Sequence, residues 1–183
     1  LYTEAVDVEG RAEADALLIA DLNEMLLQTD SAGLIFVYKT DDANRLSEQL
    51  EKELGISCLA YHSKMPAGVK LNVMQEVASG SCRVVVASSS LAMGVNLPCT
   101  RVWVRDTHYL GVGPVPLHQI RQMTGRAGRG DVAGKATVVV QPMDNRGSKN
   151  LAEGLRKGIL EEPEPQSSWK RGPDPLAKWA DRL

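Results

Sequence analysis

Aromatic side chains are scarce in this chain of 183 residues: they make up 4% of it, with one Phe. Its core must therefore be aliphatic, and an apolar content of 43% suffices for one domain, or one domain plus a tail. Neither sign of charge dominates, with 21 Lys and Arg against 23 Asp and Glu and a formal net charge of -2. That excludes a protein that holds nucleic acid by bulk basicity, so any site for a polyanion must be local. Cysteine is sparse too. Cys58, Cys82 and Cys99 lie far apart and form no CxxC pair, which argues against a zinc ribbon or a disulfide framework. Reduced thiols in an intracellular compartment, cytoplasm or nucleus, are the expectation. No apolar run approaches a membrane span, no membrane partner is expected, and no signal-peptide pattern opens the chain. The first residue is Leu1, not Met, from which an excised piece of a longer protein is expected.

Periodicity predicts an alternating order of elements. Ala14, Leu17, Leu18, Leu22, Met25 and Leu26 recur at helical spacing and predict a helix over 11–30, ended by Ser31-Ala32-Gly33. LIFVY at 34–38 is an unbroken apolar run, the mark of a strand covered on both faces. A second helix, capped by Thr40 or Asp41, runs to Leu54 and stops at Gly55. Strands follow at 56–60, 82–87, 101–105 and 136–140, with helices from Pro66 to Ser79-Gly80 and from Pro116 to about Thr124. Such alternation implies right-handed crossovers and an α/β fold, a parallel sheet with helices on both faces. Ligands of such sheets gather at the carboxyl ends of the strands. The loops of interest are thus those after Tyr38, Ala60, Ala87 and Arg105, and the one after the helix ending near Thr124. Residues 1–145 read as one domain. The remainder, 146–183, reads as a helix over 150–160 followed by a Pro-rich, charged linker, possible start of a further domain.

Two segments carry chemistry. QMTGRAGR at 122–129 places two glycines one residue before two arginines at a helix end. Glycine permits a sharp turn and a close ligand, and the guanidinium fork matches phosphate oxygens. A glycine-terminated helix with two solvated arginines is the plainer alternative. SSSLAMGVNLP at 88–98 follows a buried strand and offers hydroxyls and backbone amides to a ligand, Gly94 allowing close approach and Asn96 a bond to a ribose hydroxyl or to a neighbouring loop. An ordinary strand-to-helix connection is the alternative there.

Taken together, the two segments resemble motifs V and VI of superfamily 2 helicases, and LIFVYKT at 34–40 looks like motif IV. The wording LAMGVNLP with QMTGRAGR is most similar to the Ski-type branch, which includes exosome-type RNA helicases and polymerase-theta-type DNA helicases. The resemblance covers roughly residues 30 to 165 and implies the second of two RecA-like motor domains. It further implies that Arg129 is an arginine finger, that Arg126 is a second contact to the γ-phosphate, and that Gln122 bonds toward the phosphates or the attacking water. Gly94 and Asn96 would face the nucleotide, and Thr40, His62, Ser63 and Ser88 would lie along a single-stranded RNA or DNA backbone. ATP and its Mg2+ would sit mainly on a first RecA-like domain of the same protein.

That first domain is not in this sequence. No GxxxxGK[ST] phosphate loop occurs; Gly134-Lys135 imitates one, but Ala136 follows where Ser or Thr belongs. No Asp-Glu metal box occurs either, and no metal ligand is proposed. The expectation is half of an active site, inactive as a fragment. Two other readings stay open: a helicase-derived scaffold without catalysis, and a free-standing doubly wound nucleotide binder, although GxGxxG is missing after the first strand.

Overall fold

A computed structural model describes residues 2–28, 31–89, 99–109, 113–128 and 133–140, together with two helical positions, Glu153 and Lys157. The predicted roles of Gly94, Asn96 and Arg129, and nearly all of 146–183, lie outside the described residues.

The apolar runs become the interior of one parallel sheet. Its strands are β1 (Tyr2–Asp7), β2 (Gly33–Val37), β3 (Cys58–Tyr61), β4 (Val84–Ser88), β5 (Arg101–Val104) and β8 (Lys135–Val140). They lie in the order β1-β8-β5-β2-β4-β3, every neighbouring pair parallel. A short antiparallel ribbon, β6 (His108–Tyr109) with β7 (Gly113–Pro114), stands apart from it.

Side chains alternate across the sheet, and each set meets its own pair of helices. Ile35, Val37, Val84, Val86, Trp103 and Val139 pack with α1 (Arg11–Leu26) and α2 (Thr40–Leu54). Leu34, Phe36, Val85, Ala87, Val102, Val104, Ala136 and Val138 pack with α3 (Ala67–Ala78) and α4 (Leu117–Thr124). Phe36, Leu18, Leu22 and Ile120 are fully buried, each contributing about 1.5–3 kcal/mol by leaving water. Trp103 is a core residue whose indole Nε1–H donates to Asp21 Oδ2 at 2.7 Å.

Several boundaries differ from expectation. The first helix ends at Leu26 rather than 30, where Arg83 donates to the carbonyls of Leu26 (3.2 Å) and Ser31 (2.9 Å). A cation from the residue just before β4 thus serves a helix whose own last turn has no basic residue. The N-cap of α2 is Lys39, not Thr40 or Asp41, and no side chain bonds that helix start. The second predicted strand, at 56–60, is displaced to Cys58–Tyr61. Strand β1 is absent from the predicted order; it pairs with β8 across the length of the chain, Glu4 opposite Thr137. The predicted stop of α2 holds: Gly55 adopts φ +66, and its N–H closes on Glu51 O at 3.0 Å. All three cysteines are buried free thiols.

Candidate functional site

Thr40, His62-Ser63 and Ser88 come together because β2, β4 and β3 are neighbours in the sheet and each group lies at or just past the carboxyl end of one of them. Their exposure differs. Thr40, in the first turn of α2, is partly exposed, and its hydroxyl lies 3.3 Å from Asp41 Oδ1, long for a hydroxyl bond. Ser63 is exposed, and its carbonyl accepts from Lys70 Nζ at 3.0 Å. Ser88 is buried at the last position of β4, opposite Val37.

His62 is buried as well, with Nε2 3.1 Å from Asn44 Oδ1 of α2, so the ring joins the loop after β3 to that helix. Its Nδ1 is buried with no hydrogen-bond partner. Burial, helped by the charges of Lys64 and Lys70, holds the imidazole below its ordinary pKa, and Asp41 opposes them. The fold thus favours the uncharged form of the ring.

Two features of this edge were not foreseen. Lys39 and Lys64 are exposed beside Thr40 and Ser63, and with Lys70 they supply the local positive charge that the acidic composition withholds. Their signal in the sequence was adjacency, in YKT and HSK. The second feature is Asp106, just past β5, whose Oδ2 accepts the backbone N–H of Tyr38 at 2.8 Å and so pins the loop that carries Thr40. Arg105 stands beside it at 3.5 Å and is gripped by Asp15 of α1 through Nε at 2.6 Å and Nη2 at 2.9 Å. Burial works to lower the Arg105 pKa, but the Asp15 bonds and the charges of Asp106, Asp15 and Asp42 outweigh it and leave the group raised.

The arginine segment is elsewhere. Helix α4 starts beside the carboxyl end of β5, where Val115 N–H donates to Thr107 O at 2.9 Å, and runs back against the strands. Its last turn therefore reaches the amino ends of β5 and β8. This corrects the expectation that the loop after Thr124 lies with the others at the carboxyl edge. Ile120, Met123 and Thr124 are buried, so Gln122 is left exposed. The chain then closes three tight bonds: Gly125 N–H to Arg121 O (2.9 Å), Arg126 N–H to Met123 O (3.1 Å) and Ala127 N–H to Thr124 O (3.0 Å). Gly128 follows at φ +77, a conformation that a Cβ disfavours. Arg126 is partly exposed at the centre of this turn. A surface amide and a guanidinium on a rigid turn are suited to a phosphate. Among the described residues no group of three or more His, Cys, Asp or Glu is placed to hold a metal ion, and no helix is long and apolar enough to cross a membrane.

Residues 17–131 match the family model of the helicase conserved C-terminal domain. The chain is 30% identical over 140 residues to the ATP-dependent DNA helicase RecQ of Haemophilus influenzae, covering 76% of this chain and 20% of that protein. It is 31% identical over 140 residues to the ATP-dependent DNA helicase Hel308 of Pyrococcus horikoshii, covering 73% of this chain and 20% of that protein. The chain thus spans about a fifth of the length of these curated relatives. Its fold matches the C-terminal domain of the DEAD-box protein Dbp5 with a TM-score of 0.71 at 22% identity, over 90% of this chain and 87% of that one. From the motifs at 34–40, 88–98 and 122–129, the doubly covered parallel sheet and these matches together, the chain belongs to the helicase conserved C-terminal domain family of superfamily 2 and has its RecA-like α/β fold.

Proposed function

We propose that this domain is the second motor half of an ATP-dependent nucleic-acid helicase of the Ski-type branch, acting in the cytoplasm or nucleus. A first RecA-like domain of the same protein holds ATP with its Mg2+. This domain closes over the triphosphate and presents Arg129 as the arginine finger, Arg126 as a second γ-phosphate contact and Gln122 as a partner for the phosphates or the attacking water. Gly94 and Asn96 complete the nucleotide side of the cleft. A guanidinium placed in advance stabilises the charge that spreads over the transferred phosphoryl group. The wording of motifs V and VI and the similarity to Hel308 support the branch.

The observation that carries this reading is the arginine turn, three backbone bonds and a left-handed glycine holding Arg126 partly exposed beside the exposed Gln122. At the opposite end of the sheet a single strand of RNA or DNA crosses Thr40 and Ser63, with His62 and Ser88 shaping the edge beneath. Hydroxyls, amides and the few cations Lys39, Lys64 and Lys70 contact phosphates without reading bases.

The test is pre-steady-state ATP hydrolysis by the intact protein. Arg129→Ala and Arg126→Ala should each retain binding of a non-hydrolysable nucleotide. For the finger, loss of turnover should be about 10³-fold or more. Wild-type turnover in both variants overturns the proposal.

A further inference from the structure

Gly134 imitates part of a phosphate loop in the sequence, yet it has a different place in the fold. Its carbonyl accepts the N–H of Tyr2 at 2.8 Å, and the next N–H, of Lys135, donates to Thr100 O at 2.8 Å. The strand start at Gly134 is thereby held from both sides, by β1 and by the residue before β5, and has nowhere to retreat. Against its open face lies the backbone of the arginine turn. A Cβ at Gly134 would stand 2.6 Å from the Ala127 carbonyl oxygen, and closer still to the Ala127 carbonyl carbon and the Gly128 nitrogen. The φ of Gly134 is not in the left-handed region, so glycine is required here for space and not for conformation.

The turn is also held by Cys99. Gly128 N–H donates to Cys99 O at 2.8 Å, the Cys99 thiol donates to Arg126 O at 3.1 Å, and Cys99 and Ala127 form an isolated parallel bridge. Arg126 is thus the residue whose own carbonyl is held by the thiol, and Ala127, its neighbour, fills the space against Gly134.

We propose that Gly134 and Cys99 are positioning residues for the arginine turn, setting where Arg126 stands relative to ATP. This rests on the proposed role of that arginine. A methyl at position 134 meets backbone and not a flexible side-chain tip. With Gly134 pinned, the turn must yield by about 1 Å, and a misplacement of that size costs on the order of 100-fold in a reaction governed by geometry.

The experiment uses the intact helicase and five variants: Gly134→Ala, Arg126→Ala, their double mutant, Cys99→Ser and Cys99→Ala. The expected result for Gly134→Ala is a fall in kcat of about 100-fold with the nucleotide KM changed less than about threefold. In the Arg126→Ala background the same substitution should add less than about threefold, because the group it displaces has gone. A further loss of about 100-fold in that background, or an unchanged kcat in Gly134→Ala, overturns the proposal. If Gly134→Ala does not fold, the cysteine pair decides: Cys99→Ser keeps a donor for Arg126 O and should keep kcat, whereas Cys99→Ala should lower it at unchanged KM; equal kcat in both overturns the proposal. Wild-type turnover in Arg126→Ala would instead refute the role proposed for Arg126, a distinct outcome.

Discussion

Replacing Asp15 by Ala tests how far burial governs the ion network at the carboxyl edge. The substitution removes both bonds, at 2.6 and 2.9 Å, from the Arg105 guanidinium, whose side chain is 4% exposed. Asp106 Oδ1 remains, but at 3.5 Å it is a weak partner, and it already shares its carboxylate with Tyr38. Breaking a buried pair by removing one member costs about 3–5 kcal/mol, since the other charge is left buried. Asp15 is itself 18% exposed, so solvent reaches part of the pair and the lower end, about 3 kcal/mol, is expected. For a domain of this size that corresponds to a Tm lowered by about 6–12 °C. The internal control is Arg45→Ala, which breaks an ion pair with Asp42 of similar length, 2.8 Å, but with Arg45 67% exposed. That loss should stay under about 1 kcal/mol and fade with added salt, whereas the Asp15 effect should persist. Urea and thermal unfolding of both variants at low and high salt read the difference. If Asp15→Ala costs no more than Arg45→Ala, burial is not what gives the Arg105 pair its weight.

Three further outcomes follow from the structure. His62 binds its proton less readily in the fold than its ordinary value of 6.5 allows, so the unfolded chain takes up the proton first. Stability should therefore fall as pH drops below about 6.5 and level off beneath the folded pKa; His62→Gln should flatten that part of the profile, and an unflattened profile would refute the assignment. Burial pushes the Cys58 thiol up to about 12 from 9.0, with Cys82 and Glu51 adding to it. An aromatic disulfide reagent should accordingly label none of the three thiols in the native protein and all three in guanidinium, and stability should decline as pH climbs past 9.0. Gly128→Ala forces a Cβ into φ +77 and should cost about 1–2 kcal/mol, a Tm lowered by about 2–8 °C in a thermal melt.

Legibility followed burial. LIFV, VVVA and TVVV were readable as inner strands because the apolar run is unbroken when helices cover both faces. YTEAVD was not, because an edge strand is half polar and its partner, KATVVV, lies at the far end of the chain. The glycine stop at Gly55 was local chemistry and readable. The N-cap at Lys39 carries no side-chain bond and so left no signal, whereas Pro66 and Pro116 marked their helix starts. The site divides in the same way. Residue types and spacing pointed to the arginine segment and to the loops after β2, β3 and β4. Their partition between opposite ends of the sheet depends on the direction of α4, which no local pattern encodes. The burial of His62 and Ser88, the grip of Asp106 on Tyr38 and the tight seat of Gly134 are long-range packing facts, visible only once the strands are paired.

Helix α4 has one end tied beside Thr107 and the other inside the turn at Ala127, and its eight residues span about 12 Å. A strut fastened at both ends cannot slide without rupturing one anchorage. The lobe is consequently braced across its sheet, from the carboxyl side of β5 to the amino ends of β5 and β8.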